Sequence, residues 1–235
     1  MDTLDRMLVT MRSAFGALGR RGGQWVDHDG VGAIVTPSAP ERSIVNGVIY
    51  ERGADVAAVY DELAALFAGA WTVWVPEEDA ATARFLEERG HVLDANPAAM
   101  VHDLAGAGVE FDPDVRPAPP ELIGAVNEAA YALGDGSVER GMAAISGEDF
   151  HLYSLEDACV GGIRDCDGDA GVFFMATLPE ARGRGLASRL LHHALAEARE
   201  RGCEVSTLQA TRLGEPVYAR LGYETFGRIG MWERR

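Results

Sequence analysis

One short run of residues has the composition needed to hold an anion. Residues 181–187 read ARGRGLA, with two arginines and two glycines. Upstream, an apolar stretch ends at about Leu178 and Pro179 stops it; downstream, an amphipathic stretch starts at about Leu186. A strand, turn and helix start in that order present successive backbone amides, the helix's own unpaired first amides and the positive end of its dipole. Gly183 and Gly185 let a ligand approach the backbone with no Cβ in the way, and Arg182 and Arg184 add cationic side chains. That is the chemistry of a phosphate or pyrophosphate cradle. The plainer reading is a glycine-rich loop with solvated arginines. The run is neither a P-loop nor a dinucleotide fingerprint, since G-K-[ST] and G-x-G-x-x-G are absent from it. One strand and one short helix further on, Tyr218 stands four residues before Gly222 and five before Tyr223.

The elements that must position these residues follow from periodicity. Around the turn, "GVFFMATL" reads as a strand and "LASRLLHHALAEARERG" as a helix. "CEVSTLQA" then reads as a strand, "EPVYARLG" as a short helix and "YETFGRIGMWER" as extended chain. Ahead of the turn, "ELIGAVNEAAYAL" and "SVERGMAAI" read as helices. Residues 150–178 read as a three-stranded meander turning at Glu156-Asp157 and again between Asp165 and Gly171. "FDPDVRPAPPE", Phe111 to Glu121, has four prolines and reads as a linker or a strand edge entering a helix.

That proline-rich stretch divides the chain into 1–110 and 111–235. The first half repeats the order of the second: helix "AAVYDELAALFAGA", strand "WTVWVP", helix "EEDAATARFLEERG", extended "HVLDANPAAMVHDL". Gly69 aligns with Gly202 and Gly90 with Gly222. The N-terminus adds a packing helix, with Leu4, Met7, Leu8, Met11, Phe15 and Leu18 on one face. Trp71 and Trp74 read as core residues of their strand. The fold class is α/β (α+β by some schemes), each half a mixed, mostly antiparallel sheet flanked by helices.

The 235 residues carry 37 acidic and 21 basic side chains, a formal charge of -16. That surface repels nucleic acid and anionic membranes, so neither is expected as a partner, and an anionic ligand needs a local site. Three cysteines, an odd number with no C-x-x-C, point to free thiols in a reducing cytoplasm. No apolar run is long enough to span a membrane. "RDCDGDAG" is a hairpin turn rather than a calcium loop, because Gly168 comes too early and position 176 is alanine. His192 and His193 are adjacent on a helix and cannot share a metal, so no metal is expected.

Residues 115–235 resemble the GNAT superfamily of acetyl-CoA-dependent N-acetyltransferases, through "FFMATLPEARGRGLASRLLHHALAEARERG" and "LQATRLGEPVYARLGY". The resemblance implies that Met175, Ala176 and Thr177 offer main-chain groups to the pantetheine arm. It implies that Arg182, Gly183, Arg184, Gly185, Leu186 and Ala187 hold the pyrophosphate. It places Gln209 and Ala210 where the sheet splays to admit the acyl group, and Tyr218 where a tyrosine protonates the leaving thiolate. An amide near Ala176 is the expected oxyanion donor. The family's usual glutamate on the strand before the turn is missing, which leaves His151, Glu156, Asn127 or water as the base. Asn127, Tyr131, Met142 and Phe150 are the expected acceptor-site residues. The acceptor is expected to be a primary amine on a small molecule or peptide, and the oligomeric state, monomer or homodimer, stays open. The first half lacks the Arg/Gly turn, reading "YERGADVAA" there, and has Leu86 at the place of Tyr218. The whole then resembles a tandem GNAT protein with one active half, the other buttressing the sheet or walling the acceptor pocket. A non-catalytic acyl-CoA sensor and a transferase of a longer acyl group are the competing readings.

Overall fold

The computed structural model describes residues 1–143 and 145–235. The chain opens on helix α1 (Thr3–Gly22), started by the Asp2 carboxylate, which accepts from the Asp5 amide. Its buried stripe includes Met7, Leu8, Met11 and Phe15, as the spacing predicts. Strands β1 (Gln24–His28), β2 (Val31–Val35) and β3 (Gly47–Tyr50) follow, in a stretch to which the sequence reading gives no element. Helix α2 (Val56–Ala64), β4 (Trp71–Pro76) and α3 (Ala80–Glu88) come next, each helix capped by an aspartate. Strands β5 (Val92–Ala95) and β6 (Ala98–Asp103) end the first half.

Of the two readings of the proline-rich stretch, the structure shows the strand edge entering a helix. The stretch contributes the short edge strand β7 (Arg116–Pro117) and enters α4 (Pro120–Ala130). Helix α5 (Ser137–Met142) is held against α4 by Glu128, whose buried carboxylate accepts from four amides, those of Asp135, Gly136, Val138 and Glu139. The meander is β8 (His151–Leu155), β9 (Cys159–Cys166) and β10 (Asp169–Thr177). Asp167 and Gly168, both at positive φ, make the hairpin turn between the last two. Helix α6 (Leu186–Glu200), β11 (Val205–Ala210), α7 (Glu215–Arg220) and β12 (Glu224–Arg234) complete the fold.

The two expected sheets are joined into one of 12 strands, ordered β1-β2-β3-β4-β12-β6-β11-β10-β9-β8-β7, with β5 also on β12. Pairing is antiparallel except at β3/β4 and β10/β11. The halves trade strands across residue 110. Strand β6 runs along β11, with Ala98 opposite Ala210 and Asp103 opposite Val205. Residues 229–234 of β12 run along β4, with Ile229 opposite Pro76 and Arg234 opposite Trp71. The exchange is reciprocal. Glu224–Arg228 pair back onto β6, and β5 pairs onto Met231–Glu233. One apolar cluster accordingly draws on both halves, joining Met7, Met11, Ile49 and Trp74 to Ile123, Phe150, Val160 and Ile229. Among the described residues no helix is long and apolar enough to cross a membrane.

Candidate active site

Among the described residues, strands β10 and β11 pair in the sheet ladder only at their start. Their one parallel register pair is Asp169 with Val205, after which β10 stays on β9 and β11 stays on β6. A slot therefore opens between the C-terminal ends of two parallel strands. Ala210, expected at the splay, is buried at the end of β11.

Strand β10 is also bulged beside the slot. Phe173 faces Gly162 and Ala176 faces Val160, so Phe174 and Met175 together oppose Gly161. Phe174 sits at φ +59, a left-handed conformation rare for a bulky side chain. Asn127 of α4 holds it there: its buried amide donates to the carbonyl of Phe174 at 3.1 Å and to that of Ile123 at 2.9 Å. Gly161 makes room for the bulge, since a Cβ there would stand 2.1 Å from the Met175 sulfur. A bulge takes main-chain groups out of the sheet ladder, beside Met175 and Ala176. Thr177 turns its hydroxyl to the Cys159 sulfur at 3.3 Å.

The Arg/Gly turn leaves β10 through a short 3-10 turn at Pro179–Ala181. Gly183 (φ +76) and Gly185 (φ +78) both take left-handed backbone, and a Cβ at either position would meet nothing within 4 Å. Gly185 is the N-cap of α6 and brings no side chain to its first amides, whereas aspartates cap α1, α2 and α3. The α6 N-terminus is thus left open to an external acceptor. Leu186 is buried in the core and Ala187 packs against it, so these two can serve a ligand only through their amides. The arginines are not free in solvent. Arg182 donates to the carbonyls of Thr177 (3.1 Å) and Ala130 (2.8 Å), which braces the turn against α4. Arg184 meets Glu156 at 2.6 Å, so a carboxylate already faces its guanidinium.

From the slot the surface descends into a cavity of about 610 Å³ lined by Met175, Gln209 and Tyr218. Tyr218 is half-buried on α7, edge-on to Tyr223 with ring centroids 5.8 Å apart. Burial first, then the neighbouring Tyr131 and Cys159, raise its pKa well above the ordinary tyrosine value, so the phenol keeps its proton.

The other sequence-predicted residues divide. Asn127, Tyr131 and Met142 line the cavity, although the Asn127 amide is committed to the bulge. Phe150 does not line it. That ring is buried, packed edge-on to Phe174 at 5.2 Å and to Phe173 at 6.0 Å, and supports the wall from behind. Neither proposed carboxylate or imidazole base lines the cavity: His151 pairs with Asp165 at 3.3 Å, and Glu156 sits in the β8–β9 turn on Arg184.

About half of the residues lining the cavity come from the first half of the chain and from the last strand, none of which the sequence reading assigned to the site by residue. Phe15, Ile34 and Trp74 line it from the first half, with Ser43 and Asp94. Met231, Glu233 and Arg235 line it from the last strand. One signal was available. Trp71 and Trp74 are three apart on a strand, hence on opposite faces. Trp71 packs with Val73 and Val75, while Trp74 faces the cavity side. The contribution of β12 follows from strand exchange, which leaves no local signature.

Residues 146–225 match the family model of the acetyltransferase (GNAT) domain. No curated protein sequence matches the chain. Among solved structures, a GCN5-related N-acetyltransferase from Kribbella flavida superposes with a TM-score of 0.67 at 19% identity, over 96% of this chain and 95% of that one. A putative acetyltransferase of the GNAT family from Novosphingobium aromaticivorans gives 0.62 at 20% identity, over 99% and 98%. A tandem GNAT protein from the clavulanic acid biosynthesis pathway gives 0.54 at 17%, over 87% and 78%. Nearly the whole chain therefore shares its fold with GNAT structures, and residues 146–225 are the part that matches the acetyltransferase (GNAT) domain model.

Proposed function

We propose that the chain is an acetyl-CoA-dependent N-acetyltransferase whose second half binds the donor and whose acceptor is a primary amine. The carrying observation is the continuity of three features: an α6 N-terminus with no side-chain cap, a slot opening beyond Asp169, and a cavity walled by Tyr218. The residues present fit the donor. The amides from Gly183 to Ala187 would hold the pyrophosphate, with Arg182 and Arg184 supplying charge at the turn's base. Main-chain groups at Met175, Ala176 and Thr177 would line the pantetheine arm, and Gln209 faces it across the slot. Bound acetyl-CoA supplies an acetyl group activated as a thioester. An amide at the Phe174 bulge would stabilise charge developing on the acyl oxygen. Tyr218 would hold a proton at its hydroxyl and deliver it to the departing sulfur, and burial keeps that phenol in its protonated form.

We infer further that residues 1–110 are a degenerate second GNAT-like unit. Three observations support this: the reciprocal strand exchange, the matching parallel pair β3/β4, and buried Leu86 at the place of Tyr218. This half forms the acceptor wall. Unpaired Cys159, Cys166 and Cys203 suit a reducing cytoplasm. The test is a thiol-release assay with acetyl-CoA and a broad panel of amines. Thiol release above the amine-free rate supports transfer. Acetyl-CoA binding with no release from any amine reduces the protein to a binding module.

A further inference from the structure

The deep end of the cavity lies on the face that β4 and β12 share. Their register sets Trp74 opposite Met231 and Thr72 opposite Glu233, so these four side chains point to one side of the sheet. Glu233 lines the cavity with only 6% of its surface exposed. A carboxylate that deep needs compensation. It receives a hydrogen bond from the Ser43 hydroxyl at 3.0 Å and an ion pair from Arg235, whose side chain is 80% exposed at the chain end. The second cation of the lining, Arg42, is engaged elsewhere, with Asp135 at 2.6 Å and with Ser137. The carboxylates of Glu41 and Asp94 also border the space. Close by, the Trp74 indole nitrogen and the Thr72 hydroxyl are buried with no hydrogen-bond partner among the described residues. Around this polar end the wall is apolar, made by Phe15, Ile34, Phe173 and Met231.

The geometry points to an acceptor with two ends: an apolar or aromatic body carrying the reacting amine toward Tyr218, and a second, cationic group anchored on Glu233. We propose that Glu233 is the residue that selects such diamine-like acceptors. The inference rests on the acetyl-transfer reading only for which end of the molecule reacts. An acceptor ammonium would take the place of the exposed Arg235 side chain on the buried Glu233 carboxylate, and the apolar wall would take the body between.

The test compares 4-(aminomethyl)benzylamine with 4-ethylbenzylamine, which has the same shape without the second charge. Calorimetric titration of the full chain is expected to give at least about tenfold tighter binding for the diamine, the scale of one charge-assisted contact. Glu233→Gln is expected to erase that preference and leave 4-ethylbenzylamine binding within about twofold. Glu233→Asp, which keeps the charge, is expected to retain part of it, with circular dichroism melts confirming that both variants fold. Equal binding of the two amines to the wild type overturns the proposal, as does a preference that survives Glu233→Gln. Thiol release with acetyl-CoA is read in parallel. Diamine selection without release leaves the anchor standing and removes the transferase reading, whereas release without selection does the reverse.

Discussion

Among the described residues each half of the chain has one parallel strand pair, and the slot that lines the cavity opens at the second. In the first half the parallel pair is β3/β4, with Gly47 opposite Thr72 and Val48 opposite Val73; in the second it is β10/β11. Beyond β3, the Tyr50 hydroxyl reaches the Asp79 carboxylate at the start of α3 at 2.8 Å and bridges the gap. The helix that follows, α2, has its N-terminus occupied by Asp55, which accepts from the Ala58 amide. Arg52, beside the lone glycine of that turn, is paired with Asp2, Asp5 and Glu78. At the end of β10 and the start of α6 the corresponding places hold Thr177 and Gly185. On the proposed reading, one frame becomes a plug or a cradle according to a few side chains. An aspartate at a helix start satisfies its amides internally, and a glycine leaves them for a ligand.

The contrast is sharpest at Leu86 and Tyr218, one an inert core residue and the other a cavity phenol. Tyr218→Phe is expected to lower kcat by about 10²–10⁴, the usual worth of a positioned acid, with KM for acetyl-CoA within about twofold. The wild-type rate is expected to hold up to a pH above the ordinary tyrosine pKa of about 10, because burial keeps the phenol protonated. A variant with wild-type kcat across the pH range would remove Tyr218 from the chemistry.

A second difference lies at the apex of the open slot. Asp169, at the single β10/β11 pair, is fully buried, and desolvation pushes its carboxyl up to about 6 from 3.8, against the hydrogen bond from Thr207. The closed slot has Gly47 at its apex. In the native state this acid takes up its proton more readily than in the unfolded chain. Its stabilising effect is therefore complete below about pH 4, is lost as pH rises from about 4 to about 6, and the loss of about 3 kcal/mol persists above. Asp169→Asn keeps an acceptor for Thr207 and brings a donor toward Thr10, whose hydroxyl, like Asp169 Oδ1, is buried with no partner among the described residues. The variant is expected to melt about 5–10 °C higher than wild type at pH 7.5, and the difference should vanish near pH 4. Melting curves at the two pH values check this, and an unchanged Tm at pH 7.5 would mean that the burial is fully compensated.

Much of this comparison was legible in the sequence, and the remainder was hidden for definite reasons. The turn at 182–187, the helix after it and the strand to Ala210 announce themselves through local spacing, and the matching order of elements is the sequence basis of the proposed repeat. The exchange of β6 and β12 did not, because "AAMVHD" and "IGMWER" alternate in the same way whichever sheet receives them. The bulge was invisible for another reason. Phe174 takes a conformation that its type disfavours, and the residue that holds it, Asn127, is 47 positions away. Arg182 and Arg184 were legible as cations, but their roles as braces depend on a carbonyl brought in from α4 and a carboxylate from the β8–β9 turn.

Gly185 tests the cradle directly. Valine there must adopt φ +78, at a cost of about 1–2 kcal/mol of stability, and it places branched carbons where a Cβ now meets open space. The Gly185→Val variant is expected to bind acetyl-CoA at least about tenfold more weakly and to lose most of the melting shift that the donor gives the wild type. Thermal scans with and without millimolar acetyl-CoA measure both effects. An intact shift would place the pyrophosphate elsewhere.

The smallest effect is expected at the closed slot, and it asks whether the cap alone keeps that helix end from acting as a cradle. Asp55→Ala removes the side chain that accepts from the Ala58 amide, a change worth about 1 kcal/mol of stability. It uncaps α2 as α6 is uncapped. The Tyr50–Asp79 bridge, the paired Arg52 and the buried Leu86 all remain, so the slot stays plugged. The expected outcome is a Tm lower by about 2–4 °C, with the stoichiometry of acetyl-CoA binding still one per chain by calorimetry and the rate with the best amine unchanged. A second equivalent of bound donor would show that one aspartate separates the two halves. One equivalent would show that the plug and the missing second glycine do so as well, and that a cradle needs an open strand gap as much as a free helix end.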